Sequence, residues 1–109
     1  MTPSEFRKLA LSHPDIIEGS HMGHADFRVG GKIFATLGHP DDRYAMIKLS
    51  PIDQDLLVRS HPEAFAPAAG AWGRSGSTVV TLDAAAKRLV SEALESALYA
   101  RAPKKRRSR

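Results

Sequence analysis

Phe27-Arg28-Val29-Gly30-Gly31-Lys32-Ile33-Phe34-Ala35 decides the fold: two short apolar-rich runs flank a pair of glycines. A tight hairpin needs two central residues, one or both with positive φ, which glycine adopts without steric cost. With Gly30-Gly31 as the turn, Val29 faces Lys32, Arg28 faces Ile33 and Phe27 faces Phe34. Because side chains alternate along a strand, Phe27, Val29 and Phe34 share one face and Arg28 lies on the other.

Downstream of this hairpin, taken as Ala25 to Leu37, Gly38-His39-Pro40-Asp41-Asp42 is dense in turn formers. Tyr44 to Leu49 then alternates, with Ala45, Ile47 and Leu49 on one face and Tyr44, Met46 and Lys48 on the other. This is a third strand, antiparallel to the second. Ser50-Pro51 opens a helix running to about Ser60, with Ile52, Leu56 and Leu57 expected inward, and His61-Pro62 stops it. The Ala-, Pro- and Gly-rich stretch from Glu63 to Gly76 reads as a short turn of helix at Ala64-Phe65-Ala66 and the start of a strand at Ala71-Trp72. Ser77 to Leu82 has the β-branched density of a strand. Asp83 caps a last helix from Ala84 to about Ala100, with Ala86, Leu89, Val90, Ala93, Leu94 and Ala97 as its apolar stripe.

Upstream, Thr2-Pro3-Ser4-Glu5 carries a capping box and a proline at the first helical position, so a helix starts there and ends at His13-Pro14. Ile16-Ile17-Glu18 reads as a short strand and Gly19 to His24 as a loop. Consecutive strands joined by tight turns predict an α+β fold, an antiparallel sheet of hairpin-connected strands with helices packed on one face.

The length of 109 residues suits one domain, expected over residues 1–100, with 101–109 as a basic tail. No apolar run approaches the roughly 20 residues of a membrane span, and the first residues lack the apolar core of a signal peptide. A cytoplasmic location is the expectation. The absence of cysteine removes disulfides, thiolate metal sites and cysteine nucleophiles. The net charge of +4 is unevenly spread. Residues 1 to 100 hold ten Lys/Arg and twelve Asp/Glu, whereas 101 to 109 hold six basic residues and no acid.

In order along the chain, His13-Pro14-Asp15, Gly23-His24 leading into Phe27-Arg28-Val29, Gly31-Lys32-Ile33-Phe34-Ala35, Lys48 and Trp72 resemble the MmcQ/YjbR family of small bacterial proteins. The resemblance covers roughly residues 4 to 100. It implies a compact α+β domain of the double-wing kind, similar in outline to frataxin-like proteins, and DNA as a partner. It implies no cofactor.

Among individual residues, Arg28, Lys32 and Lys48 are candidates for a phosphate-contacting surface, Lys32 beside the turn at a wing tip. Arg74 sits close to Trp72, a cation next to a stacking platform. Lys104, Lys105, Arg106 and Arg107 offer phosphate contacts that need no fold; pairing all six cations of residues 101–109 would bring the duplex salt slope to about −5. Against these stands the ordinary reading of strand-face cations in solvent and a tryptophan in the core or a lid. The loop residues His21, His24, His39, Asp41 and Asp42 lack metal-ligand spacing, so no metal is expected. Gly73-Arg74-Ser75-Gly76 is not a nucleophile elbow, and Gly30-Gly31-Lys32-Ile33 is not a P-loop, so no enzyme is expected. Two partner classes follow: DNA, bound weakly and without sequence preference, or a protein or small ligand held by the sheet face and the Trp72 loop.

Overall fold

The structure, a computed structural model, describes residues 1–101; the expectations for Lys104, Lys105, Arg106 and Arg107 lie outside the described residues. The elements run α1 (Pro3–Ala10), β1 (Ile17–His21), β2 (His24–Val29), β3 (Lys32–Leu37), β4 (Tyr44–Lys48), α2 (Pro51–Ser60), β5 (Phe65–Pro67), α3 (Gly70–Arg74), β6 (Ser77–Thr81), a 3₁₀ turn (Leu82–Ala84) and α4 (Lys87–Arg101). The six strands form one sheet in the order β1-β2-β3-β4-β6-β5, antiparallel at every pairing. Helices α1 and α4 pack on each other and against β3, and α4 also meets β4. No helix among the described residues is long and apolar enough to cross a membrane.

The central hairpin forms at Gly30 and Gly31, with φ of 58° and 78°, and pairs Val29 with Lys32 and Arg28 with Ile33. Beyond that the register shifts: Phe27 pairs with Ala35, not Phe34. The extra residue is a β-bulge, which lets Phe34 and Ala35 both be buried beside Phe27 and Val29. The expected faces therefore hold, although the expected Phe27–Phe34 pair does not.

A second hairpin replaces the expected loop from Gly19 to His24. Strand β1 continues to His21 and turns through Met22 and Gly23, at φ of 51° and 83°, straight into β2. Its residues are mostly solvent-exposed, so the strand lacks the apolar alternation that reveals a half-buried one.

At the N-terminus the capping box is present: the Glu5 amide donates to Thr2 Oγ1 and the Thr2 amide to Glu5 Oε1, at 3.1 and 2.8 Å. Helix α2 is rotated from the expected setting. Ile52 and Leu56 are exposed, while Gln54 is buried and Leu57 and Val58 are half-buried. The cause is polar: the Gln54 carboxamide donates to the Gly73 and Ser77 carbonyls at 2.9 and 3.0 Å, and those buried acceptors turn positions 54, 57 and 58 inward.

The Ala-, Pro- and Gly-rich stretch reverses both expectations. Ala64-Phe65-Ala66 is not helical: Phe65 begins β5, pairs with Val80 and fills the core. Ala71-Trp72 begins no strand and lies in α3. The last helix starts at Lys87 because burial of Leu82 and Ala85 holds the chain in a 3₁₀ turn first; Ala86 is exposed, and Val90, Ala93, Leu94 and Ala97 form the buried stripe.

Candidate functional site

Register decides which residues meet. Ala35 pairs with Ile47, so Lys32 lies at the same end of the sheet as Lys48. Lys48 pairs with Ser77, and α3 ends just before that residue, so Trp72 and Arg74 lie at this end too. Arg28, next to the turn-closing Val29, completes the set. The structure thus gathers Arg28, Lys32, Lys48, Trp72 and Arg74 at one end of the sheet, but they are not equivalent.

Lys48 and Trp72 form the tightest part. Lys48 Nζ stands 5.6 Å from the centre of the Trp72 ring, a cation–π contact, and the indole remains 67% exposed. A large aromatic left this open is held there by its backbone. Gly70, at φ of 66°, starts α3, and Ser75 Oγ donates to the Ala71 and Trp72 carbonyls at its end. The Gln54 bond to the Gly73 carbonyl and the Leu49 amide bond to the Gly76 carbonyl clamp α3 onto α2 and β4. Gly73 and Gly76 are needed for this approach: a Cβ at either would sit 1.8 Å from a backbone oxygen, of Ala68 or Leu49 respectively. Arg74 is exposed on the same helix, and among the described residues no carboxylate lies within 4.0 Å of Arg74, Lys32 or Lys48.

Arg28 differs, being committed to Asp26. Its Nε and Nη2 donate to the two carboxylate oxygens of Asp26 at 2.7 and 3.1 Å, and His21 Nδ1 meets Asp26 Oδ2 at 2.6 Å. Asp26 is 0% exposed. The Arg28 guanidinium, more than the contact with His21, holds its carboxyl down at about 2 against the cost of burial. Gly19 faces this pair across the strands, and a Cβ there would come within 3.0 Å of Asp26 Oδ1 and 3.1 Å of Arg28 Nη2. Sequence reasoning missed Asp26, although opposite charges at positions 26 and 28 of one strand share a face and are the available signal.

The far end of the sheet collects the histidines. The His21 and His24 rings lie 4.6 Å apart and those of His24 and His39 5.1 Å apart. Asp41 is taken up by Arg43, whose guanidinium pulls its carboxyl down to about 2. Among the described residues no three His, Asp or Glu side chains are grouped to hold a metal ion.

Across the body, Arg7, Arg28, Arg43, Arg59 and Arg88 each pair with a carboxylate. Among the described residues 1–100 five further Lys and Arg have no carboxylate within 4.0 Å: Lys32, Lys48 and Arg74 lie at the Trp72 end of the sheet, and Lys8 and Lys87 lie on α1 and α4. A family model described as YjbR matches residues 11–98. The fold is similar to that in the crystal structure of Deinococcus radiodurans protein DR2400, which carries the family-model domain DUF419. That match has a TM-score of 0.75 at 22% identity and covers 88% of this chain and 75% of the other. None of the curated proteins compared matches the chain.

Proposed function

The chain belongs to the YjbR family, and we propose that it is a non-catalytic nucleic-acid-binding module that holds single-stranded DNA at the Trp72 end of its sheet. One observation carries the reading: an exposed indole has a lysine over its ring and Arg74 two residues along the same helix. An unpaired base stacks on such a ring whatever its identity, and the cations take the phosphates on either side. Lys32 lies at the same end but pairs with core-facing Val29, so it projects to the opposite face from Lys48 and adds only long-range attraction. Arg28 serves the architecture through Asp26 and contributes little to binding. The basic residues 104–107 add sequence-blind phosphate contacts. Little sequence preference and strong salt dependence follow.

Fluorescence anisotropy of a labelled oligothymidylate tests this. Trp72→Ala is expected to weaken binding roughly 5- to 100-fold, the range that losing one base–aromatic stack implies. Lys48→Gln and Arg74→Gln each flatten the single-strand salt slope by about 0.7. Replacing Lys104, Lys105, Arg106 and Arg107 by alanine flattens it further. Wild-type affinity in Trp72→Ala would reject the site.

A second reading has its own observation. Ile52 and Leu56 are 74% and 59% exposed and lie one turn apart on α2, an apolar pair suited to docking a protein. It takes the lead if Trp72→Ala leaves DNA binding unchanged.

A further inference from the structure

The two edges of the sheet are built differently. Strand β5 is three residues long, ends in Pro67 and has α2 packed against it. Strand β1 is five residues long and contains neither proline nor lysine, the devices that ordinarily blunt an edge. Its one charge, Glu18, is held by Arg7 of α1 at 2.9 Å on the helix side of the sheet. Ile17 lies on the other side, 69% exposed.

Turn chemistry fixes which backbone groups this edge presents. A two-residue turn with both φ values positive closes on a hydrogen-bonded pair, here His21 and His24. Bonded and non-bonded pairs alternate along an antiparallel ladder, so Gly19 and Ile17 also bond inward, to Asp26 and Arg28. The amides and carbonyls of Glu18 and Ser20 therefore point outward, with no strand beside them among the described residues.

We propose that β1 pairs with β1 of a second copy of this chain, antiparallel about a two-fold axis at Gly19. In this register Glu18 faces Ser20 of the second copy in both directions, and each pair exchanges two backbone hydrogen bonds. Ile17 faces His21 of the second copy, which covers the exposed isoleucine. Gly19 faces Gly19 on the axis and adds no side chain of its own; the Arg28 guanidinium that lies over it is neutralised by Asp26 of the same copy. No two like charges stand opposite one another, and the interface is isologous, as a closed dimer requires. Shifting the register by two residues in one direction sets Glu18 directly opposite Glu18 of the second copy, which charge repulsion disfavours. The inference does not depend on nucleic-acid binding. The dimer would join two six-stranded sheets and leave a Trp72 site toward each outer end.

Sedimentation equilibrium and amide hydrogen exchange on the full chain test it. The expected results are a mass approaching twice the 11.9 kDa of one chain as concentration rises, and protection of the Glu18 and Ser20 amides that rises with it. Ser20→Pro removes an outward donor without touching the ladder to β2 and returns the protein to monomer. Ile17→Lys leaves every backbone donor in place and sets a lysine beside Arg28 and His21 of the second copy; it weakens association at least several-fold. A monomeric mass throughout, with Glu18 and Ser20 exchanging freely at high concentration, overturns the proposal. So does a dimer whose mass Ile17→Lys leaves unchanged.

Discussion

Gly76→Ala is expected to destabilise the fold by about 3 kcal/mol or more, lowering the melting temperature by roughly 15 °C. Two costs coincide. Gly76 has a φ of 112°, which L side chains rarely adopt, and its added Cβ would sit 1.8 Å from the Leu49 carbonyl oxygen. Relief means separating the end of β4 from the start of β6. That breaks the 3.0 Å bond from the Leu49 amide to the Gly76 carbonyl and, with it, the clamp on α3. Gly31→Ala separates the two costs, since φ there is 78° but nothing lies within 4 Å of the added Cβ. It should cost only about 1 kcal/mol. Thermal denaturation of the two variants side by side measures the difference. Equal effects would mean that the close approach at Gly76 is not the constraint.

Asp26→Ala should cost about 2 kcal/mol at neutral pH, because it leaves Arg28 and His21 beside a vacated, buried position. The cost stays below that of a fully buried ion pair because the Arg28 side chain is 40% exposed and recovers water. The pH dependence follows from the sign of the shift. Asp26 titrates at about 2 in the folded chain, below its unfolded value of 3.8. Its contribution is therefore complete above about pH 4 and is lost as the pH falls toward 2. Denaturant unfolding at pH 7 and near pH 2.5 should show the wild type losing part of its margin over Asp26→Asn. A margin independent of pH would mean that the carboxylate does not contribute as an anion. Asp41 is also held at about 2, by Arg43, so the difference between wild type and variant is what isolates Asp26.

How far the sequence reaches is seen by comparing elements. Gly30-Gly31, the alternation from Tyr44 to Leu49, the Thr2-Glu5 capping box and the β-branched run before Asp83 were all legible, because each is a local pattern with one dominant physical reading. The family resemblance came partly from those elements, through Phe27 to Ala35 and Lys48, and partly from His13-Pro14-Asp15, Gly23-His24 and Trp72 outside them. The rest depended on partners distant in sequence. Strand β1 is polar because it lies at an edge. The bulge at Phe34 answers to core packing and leaves no local mark. Helix α2 is turned by carbonyls that lie 19 and 23 residues beyond Gln54. At the site, Trp72, Lys48 and Arg74 were legible as residue types, and only the β4–β6 register brings Lys48 to Trp72. Arg28 was assigned to the contact surface because its charge is visible in sequence. Its pairing with Asp26, two residues away on the same strand face, was legible too and was missed. The approach of His21 and Gly19 to that pair follows only from the turn at Met22-Gly23.

Trp72 is the single tryptophan of the chain, so its own fluorescence reports on the site without a label. Titrating the full chain with oligothymidylate at low salt, and again at moderate salt, asks whether a base reaches that ring. The account predicts saturable quenching that weakens with salt and is reduced by Lys48→Gln and Arg74→Gln. Oligonucleotide binding seen by anisotropy with no change in Trp72 emission would contradict it and confine nucleic-acid contact to residues beyond the sheet.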